Sequence, residues 1–136
     1  MIFLTRRETF SAAHRLHSPL LGDDENRQLY GKCNWPGGHG HNYVLQVTVA
    51  GELDPRTGML MNLTELKRII REEALLQLDH RNIDCDVPFF VDNPSTVENV
   101  AIYIWQQLVD QMPAAVRLYE IKLIETESNW VVFRGH

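Results

Sequence analysis

The sequence predicts an α+β fold, and three observations carry that prediction. Period-two apolar runs open the chain, two helix-period segments with capping signals fill its middle, and two more strand patterns close it. The order ββααββ gives one antiparallel four-stranded sheet with both helices on one face. At 136 residues, with no repeat or linker, positions 1–136 read as a single domain. Four strands leave two open sheet edges, so edge-to-edge assembly into a closed barrel, and with it a homo-oligomer, is expected.

The elements follow in order. Residues 2–14 read as a strand, with Ile2, Leu4, Phe10, Ala12 and His14 on one parity. Residues 15–38 hold Pro19, Gly22, the polar run Asp23-Asp24-Glu25-Asn26, then Gly31, Pro36, Gly37 and Gly38, and read as a long loop of the kind kept for function. From His41 to Leu53, Tyr43, Leu45, Val47 and Val49 alternate with more polar positions in a clear strand, which ends in the turn Asp54-Pro55-Arg56-Thr57-Gly58. Asn62 or Thr64 caps a helix to about Gln77, with Leu66, Ile69, Ile70 and Ala74 on one face. A second loop spans 79–94. Ser95 then starts a capping box with Glu98, and Val100, Ile104, Trp105 and Leu108 carry that helix to about Met112. Strands at 116–125 and 130–135 flank the turn Glu127-Ser128-Asn129.

Composition narrows the function classes. Hydrophobic residues make up 44% and charged residues 23%, enough for a packed core and against disorder. A net charge of −5 argues against binding bulk nucleic acid or an anionic membrane, while leaving room for a locally positive pocket. No signal-peptide core or membrane-length apolar run occurs, and Cys33 and Cys85 are too few for a disulfide scaffold. A reduced, cytoplasmic protein is expected.

The chemistry gathers at a few positions. His39-Gly40-His41 opens the second strand, where spacing i, i+2 projects both imidazoles to one side. His14, ending the first strand, is the candidate third member. Three neutral imidazoles with an open fourth position describe a catalytic zinc site; a surface turn with a satisfied His14 is the alternative. Cys33 sits beside Lys32 in a glycine-rich span. It is either a thiolate base held near the metal or a small buried hydrophobe. Cys85, between Asp84 and Asp86, reads as inert. Asp79-His80 offers a carboxylate beside an imidazole for proton transfer, or a histidine placed on a helix C-terminus. Glu125 is either solvated or a buried carboxylate facing an amidine-like ligand edge. Gly31-Lys32-Cys33 lacks the spacing of a phosphate loop.

Taken together, the motifs resemble the 6-pyruvoyl-tetrahydropterin synthase family of the tunnelling-fold superfamily. The likeness runs from Phe10-Ser11-Ala12-Ala13-His14-Arg15-Leu16 and Gly31-Lys32-Cys33-Asn34 through His39-Gly40-His41-Asn42-Tyr43 and Gly51-Glu52-Leu53-Asp54-Pro55. It continues through Met59-Leu60-Met61-Asn62-Leu63, Leu78-Asp79-His80-Arg81-Asn82, Glu98-Asn99-Val100-Ala101 and Glu125-Thr126. The resemblance implies that His14, His39 and His41 hold Zn2+ and that Cys33, Asp79 and His80 form the catalytic set. It also implies that Glu125 anchors the pterin, with Thr96 and Glu98 lining the same pocket. A lyase is implied, converting 7,8-dihydroneopterin triphosphate to 6-pyruvoyl-tetrahydropterin and triphosphate, in a hexamer built as a dimer of trimers with pockets between subunits. Arg15, Lys32 and Arg81 are candidates for the phosphates by their place near the motif loops.

Two alternatives are 6-carboxytetrahydropterin synthase, which shares the substrate, and a non-catalytic zinc or pterin-binding module. Members of the carboxy type place the cysteine closer to His-x-His than the six-residue step from Cys33 to His39 here. Presence of Cys33, Asp79 and His80 together favours the enzyme. Trp35 and Gly37 depart from asparagines common in the family, and Val97 from a pocket threonine.

Overall fold

The computed structural model describes residues 1–136. β1 (Ile2–His14) and β2 (His39–Gly51) pair antiparallel along their whole length, from Ile2 opposite Gly51 to His14 opposite His39. Alternation decides which side faces inward: Phe10, Ala12 and His14 of β1 and Tyr43, Leu45, Val47 and Val49 of β2 are buried.

The segment between these strands is more ordered than a loop. It contains α1 (Asp23–Tyr30) and a one-turn 3-10 segment, Gly31–Asn34. The helix signals are local: Asp23, Asp24 and Glu25 favour the positive end of the dipole, and Gly31 closes the helix at φ 57°. Asn62, not Thr64, caps α2 (Leu63–Ile69) by accepting from the Thr64 amide at 2.9 Å. The helix widens to a π turn over Ile70–Ala74 and tightens to 3-10 through Gln77. Leu66, Ile69, Ile70 and Ala74 are buried, as their spacing predicts.

Residues 79–94 overturn part of the expected architecture. They form β3 (Arg81–Asn82), α3 (Ile83–Asp86) and α4 (Phe89–Asp92), and β3 pairs parallel with β1 at Ala12 and Ala13. The sheet is therefore five-stranded and mixed, in the order β3-β1-β2-β4-β5, with β4 (Arg117–Thr126) and β5 (Asn129–Phe133) completing it. A two-residue strand has no periodicity to read. Tertiary bonds place it, since the His80 amide donates to the Ser11 carbonyl at 2.6 Å and the Ser11 amide to Asp79 Oδ1 at 3.0 Å.

The expected capping box at Ser95 is also corrected. Thr96 caps α5 (Val97–Leu108), accepting from the Asn99 amide at 3.2 Å. Ser95 is fully buried, and its hydroxyl donates to Asp84 Oδ1 at 2.6 Å, a charge-assisted bond that removes it from capping. The core fills the space between the sheet and helices α2 and α5, with Leu66, Ile70, Ile104 and Leu108 against Leu45, Val47, Ile121 and Leu123. The opposite sheet face, bearing Phe3, Trp130 and Val132, is exposed in the single chain. No helix is long and apolar enough to cross a membrane.

A candidate metal centre and active site

Three imidazoles meet where β1 ends and β2 begins. The register sets His14 opposite His39 and the small Ala12 opposite His41, so the rings converge with centroids 4.6, 5.1 and 4.9 Å apart. Their ligand nitrogens lie within 4.8 Å of one another, and no thiol or carboxylate joins the set. Gly38 makes this start of β2 possible: it adopts φ 75°, and a Cβ there would come within 3.1 Å of the His14 carbonyl oxygen.

His14 carries the clearest sign of a ligand. It is 1% exposed, and its Nδ1 lies 2.8 Å from the Ser95 carbonyl oxygen, which accepts the proton. That bond fixes the tautomer and leaves Nε2 with a lone pair, buried and without a hydrogen-bond partner. An orphaned nitrogen beside two further imidazoles fits a bound cation of zinc's preference. Burial lowers His14 to about 4, the Ser95 carbonyl opposing and the charges of His39 and His41 adding to it. Burial lowers His39 and His41 as well. All three are held neutral, the form that binds metal.

Cys33 lies half-buried in the 3-10 turn after α1, and both cysteines are free thiols. Its carbonyl accepts from the Leu16 amide at 2.9 Å, and the buried Asn34 side chain donates to the Leu16 carbonyl at 2.6 Å. The thiol-bearing arm is thus tied to the end of β1. Arg15, Arg27, Lys32, Trp35 and His39 line a cavity of about 620 Å3 beside it. Two of the three phosphate candidates, Arg15 and Lys32, are here. Arg81 is not.

Asp79 and His80 stand elsewhere. His80 Nδ1 lies 2.9 Å from Asp79 Oδ1, and His80 borders an open groove with Ser11, Ala13, Arg81, Gly40 and Asn42. That groove also takes in Ala12 and His41, so the pair sits at the β1 edge of the sheet, held there by the backbone of Ser11. No hydrogen bond joins Cys33 to Asp79 or His80 within the chain. His80 is past the last helical turn, so the helix-terminus alternative does not describe it.

Glu125 follows Leu123 on the inward parity of β4, at a register shift between Ile124 and Thr126. Burial pushes its carboxyl above the usual range, with His39 opposing and the neighbouring Glu98 charge adding to the rise. Glu98 lies in the first turn of α5 and Thr96 caps it, so both of these pocket candidates sit at one helix N-terminus. Three further groups escaped sequence reading: Asp84, Ser95 and Tyr43. Tyr43 stacks on Phe10 at 4.7 Å, its ring lies 5.6 Å from that of His41, and its hydroxyl is buried without a partner. Burial pushes its phenol up, and Glu125 and Asp84 act in the same direction. For Tyr43 the alternation of β2 was a sufficient signal; for Asp84 and Ser95 no local pattern exists.

The family model described as 6-pyruvoyl tetrahydropterin synthase matches residues 3–136. The chain belongs to this family. It is 55% identical over 133 residues to the 6-pyruvoyl tetrahydrobiopterin synthase of Poecilia reticulata, covering 98% of this chain and 90% of the relative. It is 54% identical over 132 residues to that of Homo sapiens, covering 97% and 90%. The solved 6-pyruvoyl tetrahydropterin synthase of Caenorhabditis elegans superposes with a TM-score of 0.93 at 44% identity, covering 99% of this chain and 96% of that one.

Proposed function

We propose that this chain is a 6-pyruvoyl tetrahydropterin synthase, a lyase that converts 7,8-dihydroneopterin triphosphate to 6-pyruvoyl-tetrahydropterin and triphosphate. The observation that carries the reading is the buried, partnerless Nε2 of His14 inside a cluster of three neutral imidazoles. His14, His39 and His41 would hold Zn2+. Bound there, the ion supplies Lewis acidity to the hydroxyl oxygens of the substrate side chain.

The remaining steps belong to the protein. Cys33 as thiolate would take a carbon-bound proton from the substrate side chain. Asp79 accepts from Nδ1 of His80, which leaves Nε2 free to take up and return protons during tautomerisation. The side chain is oxidised as the pterin ring is reduced, so no external redox partner enters, and triphosphate leaves with the displaced electron pair. Glu125 receives the amino and N3 edge of the pterin through two parallel hydrogen bonds, with Thr96 and Glu98 beside it. Arg15, Arg27 and Lys32 supply a local positive field for the triphosphate on an otherwise acidic chain.

No hydrogen bond within one chain joins Cys33 to Asp79 or His80, which supports a site completed by a second copy of the chain. A hexamer arranged as a dimer of trimers, its sheets closing a barrel, meets that need and covers the open face. A single-domain, cytoplasmic enzyme accords with this reading. The test is incubation of zinc-loaded protein with 7,8-dihydroneopterin triphosphate. Stoichiometric triphosphate release with 6-pyruvoyl-tetrahydropterin formation is expected. Absence of release overturns the reading, and release accompanied by acetaldehyde assigns the carboxy-type reaction instead.

A further inference from the structure

Three stretches distant in sequence converge behind His14. Asp84 Oδ1 accepts from the Ser95 hydroxyl at 2.6 Å, and Asp84 Oδ2 accepts from the Arg15 amide at 2.6 Å. The carbonyl of that same Ser95 receives Nδ1–H of His14 at 2.8 Å. One carboxylate therefore grips His14 twice. It holds the main chain at the residue that follows, and it holds the residue whose carbonyl orients the ring.

The grip is itself well anchored. Asp84 lies in α3, whose first amides are capped by Asn82 Oδ1 at 3.1 and 3.3 Å from the amides of Asp84 and Cys85. Ile83 beside it is fully buried, as are Ser95 and, to 1%, His14. β1 ends at His14, so its ladder with β2 stops there and the strand's last residue has no further pair to steady it. A ligand in that position needs another constraint, because a ring that swings loses the alignment of its lone pair. We propose that Asp84 and Ser95 are positioning residues for the metal ligand His14, fixing its tautomer and direction and placing a negative charge near the cation.

This inference rests on the zinc reading of the histidine cluster, and the experiment separates the two. Metal-free protein is titrated with Zn2+ against a chromophoric chelator, and with Co2+ to read ligand geometry from its visible bands. Asp84→Asn removes the charge and keeps both contacts only with the Ser95 bond reversed, its amide donating to the hydroxyl in place of a carboxylate accepting from it. Zinc binding should weaken about 10–100-fold and the cobalt bands should shift. Ser95→Ala leaves the Arg15 bond intact and should weaken zinc in the same direction; Ser95→Thr keeps the hydroxyl and should restore affinity. Both weakened variants should also lose part of the rise in melting temperature that zinc gives the wild type. A purely structural role would lower the melting temperature equally with and without metal. If the wild type takes up no zinc, the metal reading itself fails. If the wild type binds and the folded variants match it within about twofold, with unchanged cobalt bands, the positioning role is overturned. Should Asp84→Asn not fold, the two Ser95 variants decide.

Discussion

His80 is the only non-glycine residue with a left-handed backbone, at φ 61°. Such a conformation costs on the order of 1–3 kcal/mol and persists where surroundings impose it, here the 2.6 Å bond from its amide to Ser11 and the Asp79 contact. The side chain is 83% exposed, so packing does not explain why histidine stands where glycine would fit. His80→Gly should therefore melt at or above the wild type while turnover falls about 10²–10⁴-fold, a range set by general acid–base catalysis; calorimetry and a triphosphate-release assay check both halves. Cys33→Ala should lose turnover by a similar factor yet retain a full equivalent of zinc by metal analysis. His14 gives a prediction in pH. Its folded value of about 4 lies below the ordinary 6.5, so the unfolded chain binds the proton first as pH falls. Metal-free protein should thus be unaffected by this group above pH 6.5 and lose stability between 6.5 and about 4, by about 3 kcal/mol in full. Urea unfolding of chelator-treated protein at stepped pH should show that slope, and His14→Gln should reduce it to the part that His39 and His41 contribute.

At the scale of elements, the segment between β1 and β2 is held by its own polar staples. Asn26 is fully buried, accepts from the Ser18 amide at 2.7 Å and donates to the carbonyls of Ser18, Leu21 and Gly22. Asn26→Ala leaves the Ser18 amide and the Leu21 carbonyl unpaired, while the Ser18 and Gly22 carbonyls keep backbone partners, and should cost about 1–3 kcal/mol. Because Cys33 rides on this segment, hydrogen exchange should quicken over residues 16–34, and kcat should fall even though no catalytic atom is touched. How legible this molecule was depends on distance along the chain. Alternation located β1 and β2, and the i, i+2 step of His39 and His41 located the metal-binding candidates, because both are rules of a single strand. β3 and the Asp84–Ser95–His14 connection were unreadable, since each is made by partners many residues apart and leaves no periodic trace. Ser95 shows the cost of reading locally: its neighbours spell a capping box, and a tertiary carboxylate claims it. The polar run opening α1 is the reverse case, a helix start with acidic first-turn signals inside a stretch whose glycines and prolines have the composition of a loop.

At the scale of the whole molecule, the candidate groups are spread over separate elements. Cys33 lies in the turn after α1, whereas the Asp79-His80 pair sits at the β1 edge, in a groove with Ser11, Gly40, His41 and Asn42. Edges remain at β3 and β5, and exposed Phe3, Trp130 and Val132 mark a face that a single chain leaves uncovered. If a second copy supplies the proton-transfer pair, two inactive variants should repair each other. Cys33→Ala homo-oligomers lack the base in every pocket, and His80→Ala homo-oligomers lack the imidazole in every pocket. Unfolded together in equal amounts and refolded, they form mixed assemblies in which one pocket can draw Cys33 from one parent and His80 from the other. With random mixing through a heterologous interface, about one quarter of the pockets regain both groups, and activity should return to that fraction of wild type. Were both groups drawn from one chain, every pocket would keep a defect and the mixture would stay as inactive as its parents. The same mixing with Cys33→Ala and His39→Ala, groups that one chain would contribute together, should give no recovery, which ties the repair to the Asp79-His80 pair.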